Sequence, residues 1–166
     1  DVFDMLVNFW KVLLKQPKEL SEELSKITPD DKTYKEVKEV LMSLDKTQDM
    51  LADWKTDSYK RKAIISLNKL ERASLYYFNH NTSYGPGYLG WGSSVYLQAD
   101  KWKQMCKNIN NFKCGNLSVK QGDYRVTIPH HKNDLLYLDP PYYLEKDKDN
   151  KMFKGIYPMR NIPIHH

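Results

Sequence analysis

The run Asp134-Leu135-Leu136-Tyr137-Leu138-Asp139-Pro140-Pro141-Tyr142 decides how the rest of the chain is read. Four consecutive apolar or aromatic residues, 135–138, suit a strand buried on both faces, as in a parallel sheet, so the expected fold class is α/β. Pro140 and Pro141 stop that strand, because neither donates a ladder hydrogen bond and each fixes its own φ. Asp139 is then delivered at the carboxyl end of a buried strand, the edge where open α/β sheets place their ligands. A plainer alternative is a strand closed by a Pro-Pro turn that Asp139 caps.

Outward from this run, the 166 residues amount to one ordinary domain, long enough to bury a core. A hydrophobic fraction of 40% and an aromatic fraction of 13% exclude a disordered chain. The net charge of +5 favours an anionic partner, although 21 acidic residues interleave with the basic ones. Cys106 and Cys114, eight residues apart and without clustered histidines, lack zinc-site spacing and read as reduced thiols of a cytoplasmic protein. No metal site is expected. No run reaches the eighteen apolar residues of a membrane span, and no signal peptide is visible.

Upstream, the pattern is helical. Val2, Leu6, Phe9, Trp10, Leu13 and Leu14 form a stripe that stops near Pro17. A short helix beginning with Lys18 and Glu19 follows, and Thr28-Pro29-Asp30-Asp31 is a turn able to cap the next one. Residues 32–80 are helical in pattern, with one helix expected from Tyr59 to Phe78. Lys60, Arg61 and Lys62 begin that helix, either as a solvated face or as neutralisers of phosphate. Residues 79–92 hold four of the seven glycines among aromatics, amides and hydroxyls. Such a loop suits recognition, since glycine permits close backbone approach; a packed Ω-like loop is the alternative. A helix is expected over 98–111 with Trp102, Met105, Cys106 and Ile109 inward, then a strand that ends in Gly122-Asp123-Tyr124.

Asp139-Pro140-Pro141-Tyr142 after a hydrophobic strand resembles the catalytic motif of adenine-N6 DNA methyltransferases, and its flanks resemble the Dam-like group. The resemblance implies part of a Rossmann-like fold that binds S-adenosylmethionine (SAM), with a mostly helical DNA-recognition insertion. Residues 1–24 and 115–166 would be catalytic-core segments, and residues 25–114 the recognition region. It implies that Asp139 and the Pro140 carbonyl accept from the adenine amino group, Pro141 stiffens the turn, and Tyr142 stacks on the extruded base. The opening residues, Asp1-Val2-Phe3-Asp4-Met5, resemble the family segment whose acid accepts from the SAM ribose hydroxyls, so Asp1 takes that role; an N-terminal helix cap is the alternative. Asp123 and Tyr124 resemble the element beside the SAM adenine, and Asp139 also borders the cofactor. The loop stands where the family contacts DNA, which makes Asn81, Thr82, Ser83 and Tyr84 candidates beside Lys60, Arg61 and Lys62. The implied partner is double-stranded DNA.

The family's Gly-rich turn, F-x-G-x-G in type, occurs nowhere in these residues. The strands that would lie between those ending at Asp123 and Asp139 are expected before Asp1. The chain therefore reads as a middle portion, completed by missing segments or a second chain. Rival readings are a non-catalytic, methyltransferase-derived DNA-binding or structural piece, and a methyltransferase acting on RNA or a protein amide.

Overall fold

The computed structural model describes residues 3–44, 67–85 and 87–138. Among these described residues six α-helices follow one another: α1 (Asp4–Lys15), α2 (Pro17–Ser25), α3 (Asp31–Leu44), α4 (Lys69–Asn81), α5 (Ala99–Asn110) and the single turn α6 (Tyr124–Thr127). A 3-10 turn, Ile128–His131, continues from α6.

The helical reading holds for α1, α2 and α3, although in the expected α1 stripe Phe9 and Leu13 are buried while Leu6, Trp10 and Leu14 are half-buried. Helix α1 buries Met5, Val7, Phe9, Val12 and Leu13. Gln16 breaks it at φ −147°, and Pro17 opens α2 at the first helical position, where a missing N–H costs nothing. Asp30 caps α3 as expected, its Oδ1 accepting from the Thr33 N–H at 2.7 Å. Helix α4 departs from expectation. It starts at Lys69, and Leu67, read as helical, precedes it. The cause is a reciprocal cap in which Asn68 Oδ1 accepts from the Leu70 and Glu71 N–H groups while Glu71 Oε2 accepts from the Asn68 N–H.

Helix α4 is the centre of the packing, in contact with α1, α2 and α3, while α5 packs on α2. Its Phe78 is fully buried, with the Trp102 ring of α5 edge-on at 5.0 Å. Phe9 of α1 stacks on Tyr77 at 5.3 Å and an interplanar angle of 15°. One hydrophobic cluster joins residues of α1 to α5, so the expected core segment before residue 25 and the expected recognition region share it.

No strand occurs among the described residues; their only β pairing is the isolated antiparallel bridge Ser83–Gly92. The expected buried strand over 135–138 is instead exposed along its length, with Leu135 and Tyr137 almost fully open. A segment apolar on both faces is buried only between partners, and no described segment pairs with this one. The strand expected before Asp123 is absent as well. Its alternation survives in another form: Leu117 and Val119 line a shallow cleft of about 280 Å³ against Leu6, Val7 and Trp10 of α1. The α/β architecture is therefore not seen in the described residues, which are helical.

Candidate nucleic-acid interface

The loop that leaves α4 is held at its neck by backbone pairing. Tyr84 N–H donates to the Trp91 carbonyl at 2.7 Å and Ser93 N–H to the Thr82 carbonyl at 2.9 Å, on either side of the Ser83–Gly92 bridge. Opposed residues of such a pair share a face, and successive residues alternate between faces. Ser83 accordingly points inward and is buried, while Tyr84 and Trp91 point outward at 81% and 85% exposure.

The inner face is closed by short hydrogen bonds. Ser83 Oγ lies 2.6 Å from both the Asn79 and Gly87 carbonyls, and Thr82 Oγ1 donates to the Phe78 carbonyl at 2.6 Å. Asn79, fully buried, accepts the Leu89 N–H on Oδ1 at 2.7 Å, which holds Leu89 at φ +58°. Left-handed backbone costs a branched residue roughly 1–2 kcal/mol, so this tether offsets real strain. Gly92 stands where a Cβ would meet the Tyr34 ring at 3.0 Å, so the neck lies directly on α3. Lys38 of α3 donates from Nζ to the Gly90 carbonyl at 2.8 Å. Burial pushes the Tyr34 hydroxyl above its ordinary pKa, and the same cause pushes Tyr76 and Tyr77 up to about 12.

Four of the expected contact residues can thus be placed. Asn81 donates from Nδ2 to the Tyr77 carbonyl at 3.0 Å and stays within its own helix. Thr82 and Ser83, expected at a phosphate or base, are buried, with their hydroxyls bonded to α4 and the loop because the pairing turns them inward. Tyr84 alone of the four faces outward. Trp91 was not among the expected contacts, which were amide and hydroxyl side chains; its signal was a third aromatic, after Tyr84 and Tyr88, near the end of the same glycine-rich window.

Asp123 caps α6, with Oδ1 accepting from the Arg125 N–H at 2.8 Å. The Arg125 guanidinium holds the same carboxylate through Nε at 3.0 Å and Nη2 at 2.7 Å. Those side-chain hydrogen bonds, with the backbone one, hold the Asp123 carboxyl down at about 2. Tyr124 is exposed, with the Arg125 guanidinium 5.9 Å from its ring centre. No hydrogen bond, ion pair or ring contact among the described residues joins this turn to the loop. Asp1, Lys60, Arg61, Lys62, Asp139, Pro140, Pro141 and Tyr142 lie outside the described residues. Cys106 is buried and Cys114 exposed, both unbridged.

The model of the D12 class N6 adenine-specific DNA methyltransferases matches residues 1–163. The chain belongs to that family. Comparison with curated proteins and with solved structures gives no match. Membership makes DNA adenine methylation the chain's general field and DNA its family's substrate. Among the described residues of this methyltransferase family member, no helix is long and apolar enough to cross a membrane.

Proposed function

We propose that the chain carries the catalytic centre of a methyltransferase that uses SAM to methylate N6 of adenine in duplex DNA, on an α/β core of Rossmann type. The observation that supports it most is the family match over residues 1–163, a range within which Asp139, Pro140, Pro141 and Tyr142 fall. An exocyclic amine is a poor nucleophile because its lone pair is delocalised into the ring. A carboxylate at Asp139 and the Pro140 carbonyl, both accepting from the amino group, favour a tetrahedral nitrogen whose lone pair is free. Tyr142 supplies a face on which the extruded adenine stacks.

The cofactor fits the donor set that is visible. Asp123 stays ionised far below neutrality, and although Oδ1 is filled by the Arg125 N–H and Nε, Oδ2 accepts only from Nη2 and keeps a lone pair for an adenine amino group. Asp1 would accept from the ribose hydroxyls, and Tyr124 and Asp139 would border the same molecule. When bound, SAM supplies a methyl group activated by its sulfonium. The DNA contacts fall to Tyr84, with Trp91 opposite it, and to Lys60, Arg61 and Lys62.

A second reading is favoured by the exposure of Leu135, Tyr137 and Leu138, which leaves the expected catalytic strand without a described partner. Here the chain binds DNA without catalysis, or a second chain completes the sheet. Single-turnover methylation of an adenine-containing duplex, beside calorimetry of SAM binding, separates the readings. Asp139→Asn should reduce methyl transfer roughly 10³-fold, about 4 kcal/mol of barrier, in a folded protein. Near-normal methylation by that variant would end the catalytic assignment of Asp139; SAM binding absent from the wild type would favour the second reading.

A further inference from the structure

Helix α5 and the turn after it hold four lysines, Lys101, Lys103, Lys107 and Lys113, against one acid, Asp100, a net +3 within a chain of net +5. All four ammonium groups lie on exposed residues. None of them enters an ion pair with a described residue, whereas Lys26, Lys32, Arg72 and Arg125 each do. Among the described helices this basic excess has a shape to go with it.

Lys103 and Lys107 form one wall of a groove of about 490 Å³ between α5 and α2. Ser25 and Thr28 stand on the other wall, and Trp102 and Cys106 contribute to its lining. The acids of α2, Glu19, Glu22 and Glu23, are not among the lining residues. The two lysines are one helical turn apart, about 6 Å along the axis, an interval that lets them meet neighbouring phosphates of one strand. Through the Trp102–Phe78 contact, α5 is packed on the helix that carries the Tyr84–Trp91 loop.

We propose that this groove seats the sugar-phosphate backbone of duplex DNA, with Lys103 and Lys107 as paired phosphate contacts. The inference rests on the DNA-methyltransferase reading and adds a surface to it. These contacts are independent of base sequence: they position the duplex and add counterion release.

The test is fluorescence anisotropy of a labelled duplex titrated with the full chain across a series of salt concentrations. Lys103→Gln/Lys107→Gln should weaken binding about equally on unrelated sequences and reduce the slope of log K against log salt by about 1.8, roughly 0.9 per phosphate contact. Lys103→Arg/Lys107→Arg should keep the wild-type slope. The charge-matched Lys11→Gln/Lys15→Gln on α1 should leave it unchanged, and circular dichroism checks that each variant is helical. An unaltered slope in the α5 variant, or equal flattening by the α1 variant, overturns the proposal while duplex binding by the wild type leaves the parent reading standing. A wild type that binds no duplex at any salt, or that prefers single-stranded RNA, overturns both.

Discussion

His80 lies with its imidazole nearly parallel to the Tyr76 ring, 5.7 Å between centres, and its Nδ1 is buried without a hydrogen-bond partner among the described residues. Burial therefore lowers its pKa from the ordinary value near 6.5. Because the unfolded chain takes up this proton first, stability falls as pH drops from about 6.5 towards the depressed folded value, and is fully present above that window. The acid-side groups Asp30 and Asp123, both lowered, act only below the ordinary carboxylate range. Thermal melting at pH 7.5 and pH 5.5 should show a smaller difference in His80→Gln than in the wild type. An identical difference would remove His80 from the pH response. None of this was legible in the sequence, where His80 is one polar residue before a glycine-rich loop; its burial depends on Tyr76 and on the loop folding back.

At the scale of the element, the clearest lesson is where α4 begins. The apolar periodicity carried a helix from Tyr59 through Leu67, because period alone does not mark a boundary. Asn68-Lys69-Leu70-Glu71 was the marker, an N-cap residue followed three positions later by Glu. Asn68→Ala should cost about 0.5–2 kcal/mol, read as a lower urea midpoint with an unchanged slope. Glu71→Ala in the same series should cost less than Asn68→Ala, because Asn68 receives two N–H groups and Glu71 one. By contrast, the turn Thr28-Pro29-Asp30-Asp31 announced its cap correctly, and the stripes of α1, α2, α3 and α5 were plain. Each of those helices buries one face and exposes the other, which is the circumstance in which periodicity is informative.

Across the described residues, the helices were legible, and the expected strands have no counterpart. Leu135, Leu136, Tyr137 and Leu138 have the composition of an interior strand, but a strand is buried by its neighbours, and neighbours are not encoded in its own four letters. The loop of residues 79–93 was visible as a cluster of glycines and aromatics, while its division into a buried polar face and an exposed aromatic face needed the register of one bridge. The net charge of +5 was likewise uninformative until Lys101, Lys103 and Lys107 were seen on the exposed side of α5, with Lys113 just after it.

The same bridge gives the molecule an optical property. It holds Trp91 in solvent, while Trp102 is 4% exposed with its indole N–H donating to the Leu24 carbonyl at 3.2 Å. The two indoles therefore differ in colour and in access: Trp91 emits at longer wavelength and meets a neutral collisional quencher such as acrylamide, whereas Trp102 is shielded. Trp91→Phe should remove the larger part of the quenchable emission that these two contribute and leave the shielded part intact. With Trp10 and Trp54 replaced by Phe in both proteins, duplex DNA occupying the loop should shield the Trp91 protein from the quencher and leave its Trp91→Phe counterpart nearly unchanged. Equal shielding in both proteins would place the contact away from Trp91. The loop thus reports on its own occupancy by light, with no label attached.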